Sequence, residues 1–307
     1  MNVAAATGST LPSEATRPEA APPMPRPAVT PGLATLRLFL RNPSGLLGLA
    51  ILLGLLFAAL VGPHLYGVDP FDIVGAPFQP PGGDPLLGTD YLGQDILAAL
   101  LQGGRATLLV GFSAALITVV IGVTFGALAG FFGGRTDTLL MKVTEFFQVL
   151  PTLLFAMVLV TLFGQRIAIT TIAIGIVSWP PTARLTRAEF LRLRGLDFVK
   201  AARAAGAGPL YLIGRVILPN AAPPIVVSAT LAIGTAVLFE GALSFLGLGD
   251  PNVMSWGLMI GQNRAYALEA WWTVLLPGAA IFLAVLGVSL VGDAVNDAVN
   301  PRLRKRS

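Results

Sequence analysis

Long runs of apolar residues dominate the chain, and each run is about as long as a membrane-spanning helix. Six such runs occur, at residues 44–63, 106–132, 139–163, 167–183, 221–246 and 273–292. A helix needs about 20 mostly apolar residues to cross a hydrocarbon core of about 30 Å, because lipid offers no partner to unpaired backbone groups. The pattern predicts an all-α polytopic membrane protein with six transmembrane helices.

The third run is less uniform than the others. It carries Lys142 and Glu145 in its first turns and Pro151 in its interior. Charged residues are costly in a bilayer, and proline interrupts a helix. We therefore expect the entry end of this run to lie at the surface or against protein.

The composition supports a membrane protein. Hydrophobic residues make up 54% and charged residues 12% of the chain, and the mean hydropathy is +0.76. Ordinary soluble domains have about 45–50% apolar and about 25% charged residues. The chain has no cysteine and a single histidine, His64. This leaves almost no material for thiolate or imidazole chemistry, so we predict no catalytic residue and no metal site.

The distribution of basic residues predicts the orientation. With the amino terminus inside, every lysine and arginine except Arg105, Arg166 and Arg264 falls on the cytoplasmic side. Basic loops remain cytoplasmic, so both termini are expected there. The same distribution explains the pI of about 9.8 without a nucleic-acid partner.

The amino-terminal segment differs from the rest of the chain. Residues 1–43 form a tail rich in proline and alanine, and we expect disorder to about residue 31. The tail has no short apolar core followed by a small-residue cleavage site, so a cleaved signal peptide is not expected. Residues 44–307 form the predicted transmembrane domain.

A long connection on the outer side covers residues 65–104. It is rich in proline and glycine and ends in the sequence LGTDYLGQD at residues 87–95. Thr89 or Asp90 could cap a short helix through its free N–H groups. Two readings remain open: a turn with an interfacial helix packed on the bundle, or a docking or gating surface.

A second long connection, on the inner side, covers residues 184–220. Residues 199–205 favour a short helix, which Gly206 and the following Gly-Pro pair should end. Residues 210–218 can form a second short helix, and Pro219 is expected to stop it. The sequence thus predicts a helix, a turn and a helix.

Two uses of this inner segment remain open on physical grounds. Ala201, Ala202 and Ala205 give its first helix a low-relief surface that could enter a groove on another protein. Its basic residues could instead hold an amphipathic element on the anionic inner leaflet.

Four separated stretches resemble a known family. Lys200-Ala201-Ala202, then Gly206 and Leu218-Pro219, have the spacing of the coupling loop in membrane subunits of bacterial ABC importers. Three further stretches narrow the resemblance to one type of subunit, and they are residues 87–95, residues 243–249 with 255–257, and residues 292–303. Together, over about residues 33–305, they resemble the C-type permease subunit of the dipeptide, oligopeptide and nickel importers. Lys200 stands where the family pattern has glutamate, and Gln94 where it usually has arginine.

The resemblance implies a fold, partners and site residues. It implies a type I ABC importer permease bundle in the bacterial inner membrane, surrounded by lipid and without catalytic activity of its own. The implied partners are a second homologous permease, two ABC ATPases and an extracytoplasmic substrate-binding protein. The implied ATPase-coupling residues are Lys200, Ala201, Ala202, Gly206, Leu218 and Pro219. The implied outer-loop motif comprises Gly88, Thr89, Asp90, Gly93, Asp95 and Arg105.

The sequence agrees with an external source of ATP energy. None of its lysines, Lys142, Lys200 and Lys305, follows a glycine, so the chain has no phosphate-binding loop. The resemblance implies that ATP and magnesium belong to the partner ATPases and that this chain binds no cofactor. It further implies inward movement of a small solute, with di- or oligopeptides as the expected class.

An ATPase-independent secondary transporter or channel is the alternative. Such a protein should show charged pairs or broken helices in two corresponding halves, and no such repeat is evident. Glu240, in the fifth run, is the candidate charge inside the membrane. It could line a pathway, or it could be structural and pair with a group such as Arg105.

Overall fold

The computed structural model describes residues 33–299, and that part of the chain is helical with only isolated β-bridges. This confirms the all-α fold class. The tail predicted to be disordered to about residue 31 and the end of the carboxyl-terminal motif lie outside the described residues. The helices are α1 (Leu33–Leu40), α2 (Pro43–Tyr66), α3 (Ile96–Phe132), α4 (Gly134–Val149), α5 (Thr152–Phe163), α6 (Ile167–Ser178), α7 (Pro180–Arg194), α8 (Asp197–Ala204), α9 (Pro209–Tyr211), α10 (Leu218–Phe245), α11 (Trp256–Asn263) and α12 (Trp272–Val299).

The predicted count of six spans is not fully confirmed. Within the described residues, four helices are long and apolar enough to cross a membrane: α2, α3, α12 and the continuous helix Pro209–Phe245. The pair α4 and α5 makes a fifth if it is one bent span. The run predicted as the fourth span is divided, because α6 has 12 residues and α7 begins at Pro180.

The third run bends at the proline that made it irregular. Helices α4 and α5 meet at an angle of 85° on either side of Leu150 and Pro151. Proline cannot donate a backbone hydrogen bond and disfavours helical backbone in the residue before it, and Leu150 is extended. The charged residues of the run all fall in α4, and α5 has no charged residue.

Pro219 does not stop the helix before it, and the expectation that it would is wrong. A π-helical turn, Leu212–Ile217, joins α9 to α10, so that residues 209–245 form one helix. The wider turn, in which Leu218 N–H bonds to the Ile213 carbonyl, makes room for a residue without an N–H. Asn220 donates its side-chain amide to the Val216 carbonyl at 2.7 Å.

Helix α3 forms the centre of the bundle, and a glycine stripe brings α7 against it. Gly122, Gly126 and Gly130 are buried and lie four residues apart, on one face of α3. An added Cβ at Gly126 would lie 2.3 Å from the Ala183 carbonyl oxygen, and one at Gly130 would lie 2.6 Å from Phe190 Cβ. No side chain fits between the helices at these positions.

Glycines also bring other helices together. A Cβ at Gly111 would lie 2.5 Å from a methyl carbon of Val237, which places α3 directly on α10. A Cβ at Gly48 of α2 would lie 2.6 Å from Leu290 Cβ of α12. Gly234 of α10 differs, because a Cβ there would meet Val285 at an ordinary 3.7 Å.

Polar contacts reinforce the end of α3 that precedes α4. Asp137 of α4 forms a two-bond ion pair with Arg187 of α7, with N–O distances of 2.5 and 2.7 Å. Arg194 donates to the carbonyl oxygens of Gly130 and Phe131 at 3.0 and 3.2 Å. The last carbonyls of a helix lack partners within it and carry partial negative charge. The Arg194 guanidinium donates hydrogen bonds to these carbonyls and compensates their charge.

We predict that Gly126→Val destabilises the protein strongly, whereas Gly54→Val does not. Valine at 126 would overlap the backbone of α7, and overpacking of this kind typically costs about 1–3 kcal/mol or more. Gly54, on α2, has nothing within 4 Å of a Cβ and undergoes the same change in helix propensity. The check is thermal unfolding in detergent, and equal melting temperatures for the two variants would contradict the packing described.

Candidate functional site

The outer motif begins α3. Asp95 precedes its first residue, and its Oδ1 accepts from the N–H groups of Leu97 and Ala98 at 2.7 and 3.1 Å. The Tyr66 hydroxyl donates to its Oδ2 at 2.6 Å and so joins the end of α2 to the start of α3. The helix cap is therefore Asp95, and the expectation that Thr89 or Asp90 would cap a helix is wrong. The helix also starts within the predicted outer loop 65–104, so the loop itself is residues 67–95.

Thr89 holds the loop together from its interior. Its side chain is fully buried, and its hydroxyl donates to the Ala76 carbonyl at 2.7 Å and accepts from Gln79 N–H at 2.8 Å. Its own carbonyl oxygen accepts from the indole N–H of Trp272 at 3.2 Å. Thr89 thus connects two parts of the loop to each other and to the first residue of α12.

Asp90 organises the turn that follows. Its Oδ1 accepts from the N–H groups of Leu92 and Gln94, each at 2.8 Å. Burial raises the pKa of the Asp90 carboxyl, and the backbone N–H groups oppose that rise only in part. The carboxyl therefore serves as a hydrogen-bond acceptor within the loop, in a place where a negative charge is costly.

Two glycines of the motif allow close backbone approach. Gly88 and Gly93 have φ angles of +77° and +84°. A Cβ at either position would lie 2.2 Å from a backbone carbonyl oxygen, that of Gln79 or Gly75. Both positions therefore require glycine on two independent grounds.

Arg105 does not join the other motif residues. It is exposed on α3, ten residues after Asp95, which corresponds to about 15 Å along a helix. Gln94, which stands where the family usually has arginine, is nearly buried and donates its side-chain amide to the Phe71 carbonyl at 3.1 Å.

Glu240 lies at a junction of three helices. Only 3% of its surface is exposed, and its Oε1 accepts from the Ser244 hydroxyl at 2.7 Å. The side chains of Thr107 on α3 and Ser255 at the start of α11 lie beside the carboxyl group. Among the described residues Glu240 forms no ion pair, with Arg105 or any other cation. This placement joins α3, α10 and α11.

The inner segment forms the predicted helix, turn and helix, with different bounds. The predicted loop 184–220 includes most of α7, then α8, and then the start of the helix that continues into α10. Gly206 has a φ of +86° in the turn, and nothing lies within 4 Å of a Cβ there. Val199 and Leu212 are buried and attach the segment to the bundle.

The exposed side of this segment has low relief. Small residues and one tyrosine surround an open hollow of about 530 Å³: Ala202, Ala205, Gly206, Ala207, Gly208 and Tyr211. Ala201 is exposed beside it, Leu218 is half-buried, and Pro219 is exposed.

Charged residues lie on the same short helix. Lys200 is exposed, and its ammonium group pairs with Asp197, one turn before it, at 3.1 Å. Arg203 lies over the ring of Phe131, with its guanidinium carbon 5.9 Å from the ring centre.

Sequence reasoning missed the residues that hold the outer loop to the bundle. Besides Tyr66 and Trp272, Asn263 of α11 is buried, donates to the Met259 carbonyl and accepts from Tyr91 N–H at 3.4 Å. Tyr66 and Trp272 stand at the ends of apolar runs, where aromatic residues with a polar group are enriched. That position in the sequence could have indicated a role for Tyr66 and Trp272. No feature of the sequence indicated a role for Asn263.

The chain matches families of transport proteins over most of its length. Residues 122–305 match the family described as the binding-protein-dependent transport system inner membrane component. Residues 30–81 match the N-terminal TM domain of oligopeptide transport permease C.

Named relatives cover nearly the whole chain. The chain is 41% identical over 274 residues to the Di/tripeptide transport system permease protein DppC of Pseudomonas aeruginosa. The aligned region covers 87% of this chain and 90% of the relative. It is 38% identical over 283 residues to a putative peptide transport system permease protein of Brucella abortus, which covers 92% and 95% of the two chains.

A solved structure shows the same fold. An inward-facing form of the MetNI methionine ABC transporter superposes with a TM-score of 0.56, covering 66% of this chain and 96% of that chain at 19% identity. The family matches, together with the fold, thus define a permease of the ABC importer type. The chain belongs to the family of inner membrane components of binding-protein-dependent transport systems. The family resemblance, the fold class and the inner-membrane location expected from the sequence are confirmed.

We predict that Asp90→Asn preserves the outer loop, whereas Asp90→Ala loosens it. Because the pKa of Asp90 is raised in the folded protein, its contribution to stability falls as the pH rises through that pKa, and a neutral acceptor should serve at least as well near pH 7. Alanine leaves the N–H groups of Leu92 and Gln94 without their acceptor. Limited proteolysis of residues 67–95 is the check. Equal cleavage of the two variants would contradict the role of Asp90.

Proposed function

We propose that this chain is the pore-forming permease subunit of an ATP-driven importer that moves di- or oligopeptides into the cytoplasm. The relatives at 38–41% identity carry names of peptide permeases, which supports the substrate class. The observation that supports the mechanism is the connection of the α8 to α10 segment to the membrane bundle. A low-relief protrusion continues without interruption into a membrane helix.

In this proposal ATP energy enters through partner subunits. Two ABC ATPases grip the coupling loops of the two permease chains, and in this chain the contact lies at Lys200, Ala201, Ala202 and Gly206, with Leu218 and Pro219 at its base. ATP and magnesium are bound in those partners, and this chain contributes no catalytic residue and no cofactor. The absence of a phosphate-binding loop from the sequence supports this division of labour.

The helices connected to the protrusion suggest how movement reaches the membrane. Before the protrusion, α7 is held to α3 by the glycine stripe and by Arg194. After it, residues 209–245 are one helix. A displacement of α8 by closure of the ATPases would therefore move two elements of the bundle together. The protrusion need only bind the open and closed ATPase pairs with different affinity to bias the inward and outward states.

The other parts of the proposed assembly are those that the family resemblance implies. We propose a heterodimer with a second homologous permease, six spans in this chain with both termini cytoplasmic, and an extracytoplasmic binding protein that delivers the solute. The exposed apolar residues of α5, Leu154, Val158 and Leu162, are suited to the second permease or to lipid.

The test is retention of the ATPases during purification. The tagged chain is expressed with its partner permease and ATPases and extracted in detergent. We expect wild type to retain the ATPases and Gly206→Asp to lose them, because a charged side chain would project into the open hollow that the ATPase is proposed to contact.

Gly67→Asp is the matched control. Gly67 has a φ of +70° and open space around a Cβ, so the same substitution imposes similar backbone strain. Gly67 lies at the carboxyl end of α2, away from the protrusion. This control should retain the ATPases. Failure of well-folded wild type to retain any ATPase would contradict the proposal and favour a transporter that works without ATPases.

A further inference from the structure

The outer loop presents an apolar patch to solvent. Phe71, Ile73, Val74 and Leu92, here called the cap patch, are 38%, 72%, 44% and 42% exposed. They belong to two stretches that run side by side. Val74 N–H bonds to the Gly93 carbonyl at 2.9 Å, and Ile73 pairs with Gln94 in an antiparallel bridge. The four residues therefore lie close together in the loop.

The cap patch is held in place from beneath. The Gln94 side chain fixes the Phe71 carbonyl, and the Asp90 carboxyl fixes the N–H groups on either side of Gly93. Large apolar side chains are thus displayed on a backbone whose polar groups are bonded internally. Pre-organisation of this kind lowers the entropic cost of binding a partner.

The loop that carries the cap patch has charges of one sign. Residues 67–95 contain no lysine, arginine or histidine, and Asp69 and Asp72 are exposed beside the patch. Asp69 Oδ1 accepts from Phe71 N–H at 2.8 Å, which places its carboxylate at the border of the patch. An apolar centre with an acidic border complements an apolar surface with a basic border.

The position of the cap patch favours a soluble occupant over lipid. Gln94 lies at the amino-terminal tip of α3, whose 37 residues span about 55 Å, against a hydrocarbon core of about 30 Å. Arg135 and the basic residues of α7 mark the other end of α3 as the cytoplasmic one. The tip therefore projects beyond the outer edge of the core, and the two exposed aspartates resist insertion into it.

We propose that the cap patch is the surface on which the soluble extracytoplasmic binding protein docks, through an apolar area bordered by basic side chains. This inference rests on the proposed function, and it adds the place of docking and the chemistry of the partner surface. Membership in a family of binding-protein-dependent transport systems requires such a partner on this side of the membrane.

The first test measures docking through ATPase stimulation. The complete complex in nanodiscs is titrated with the peptide-loaded binding protein that stimulates wild type. Ile73→Glu should raise the half-saturating concentration about ten-fold or more, because a charge is placed in an apolar contact. Basal ATPase activity and subunit retention should stay unchanged. Leu86→Glu, an equally drastic change at an exposed leucine of the same loop, should shift the midpoint less than two-fold.

The acidic border has its own test. The double variant Asp69→Asn with Asp72→Asn keeps the acceptor oxygen for Phe71 N–H and removes both charges. We expect the docking of wild type to weaken with added salt and that of the double variant to depend less on salt. Equal salt dependence would remove the basic border from the proposal.

A fluorescent label distinguishes the binding protein from lipid as the occupant. The chain has no cysteine, so Ile73→Cys can carry a single environment-sensitive dye on this subunit, with Leu86→Cys as control. A shift on addition of binding protein at position 73 only supports the proposal. Quenching at position 73 by brominated lipid would overturn it.

The remaining outcomes separate the two proposals. An unchanged midpoint for Ile73→Glu, with wild type stimulated normally, would overturn the cap patch and leave the proposed function intact. If Ile73→Glu fails to assemble, the labelled Ile73→Cys complex decides. If wild type retains its ATPases but no binding protein stimulates it, both the docking inference and the importer mechanism fail.

Discussion

The architecture depends on the direct contact between α3 and α7. Three glycines of α3, at one-turn intervals, let backbone meet backbone, and even a methyl group at Gly126 would overlap Ala183. In lipid, helix association gains little from the hydrophobic effect, so close van der Waals contact between small residues carries much of the stability. The same contact decides the direction in which α7 leaves the bundle toward α8.

This contact links the two ends of the molecule. At its amino-terminal end α3 is capped by Asp95, which also binds Tyr66 and belongs to the outer motif. At its carboxyl end, Arg194 closes its last carbonyls and the ion pair between Asp137 and Arg187 joins α4 to α7. A single helix thus supports the outer loop and the inner protrusion, which gives the proposed coupling a continuous structural path.

The sequence predicted features that depend on local chemistry and missed those that depend on tertiary contacts. The apolar runs, the turn at Gly206 and the break near Pro151 follow from composition and backbone restriction. The π-helical turn before Pro219 depends on room around a long helix, and the proline alone indicates a stop. Asp95 was overlooked as the cap because the helix starts well before its apolar run. The separation of Arg105 from the outer motif follows from that same early start.

In the proposed mechanism, this chain moves solute only when ATPases drive it. The most direct measurement is uptake of a labelled dipeptide into proteoliposomes that hold the complete complex, with binding protein outside and ATP inside. We expect uptake that requires ATP hydrolysis and disappears when the ATPase subunits are omitted. Equal uptake by the permease chains alone would contradict it.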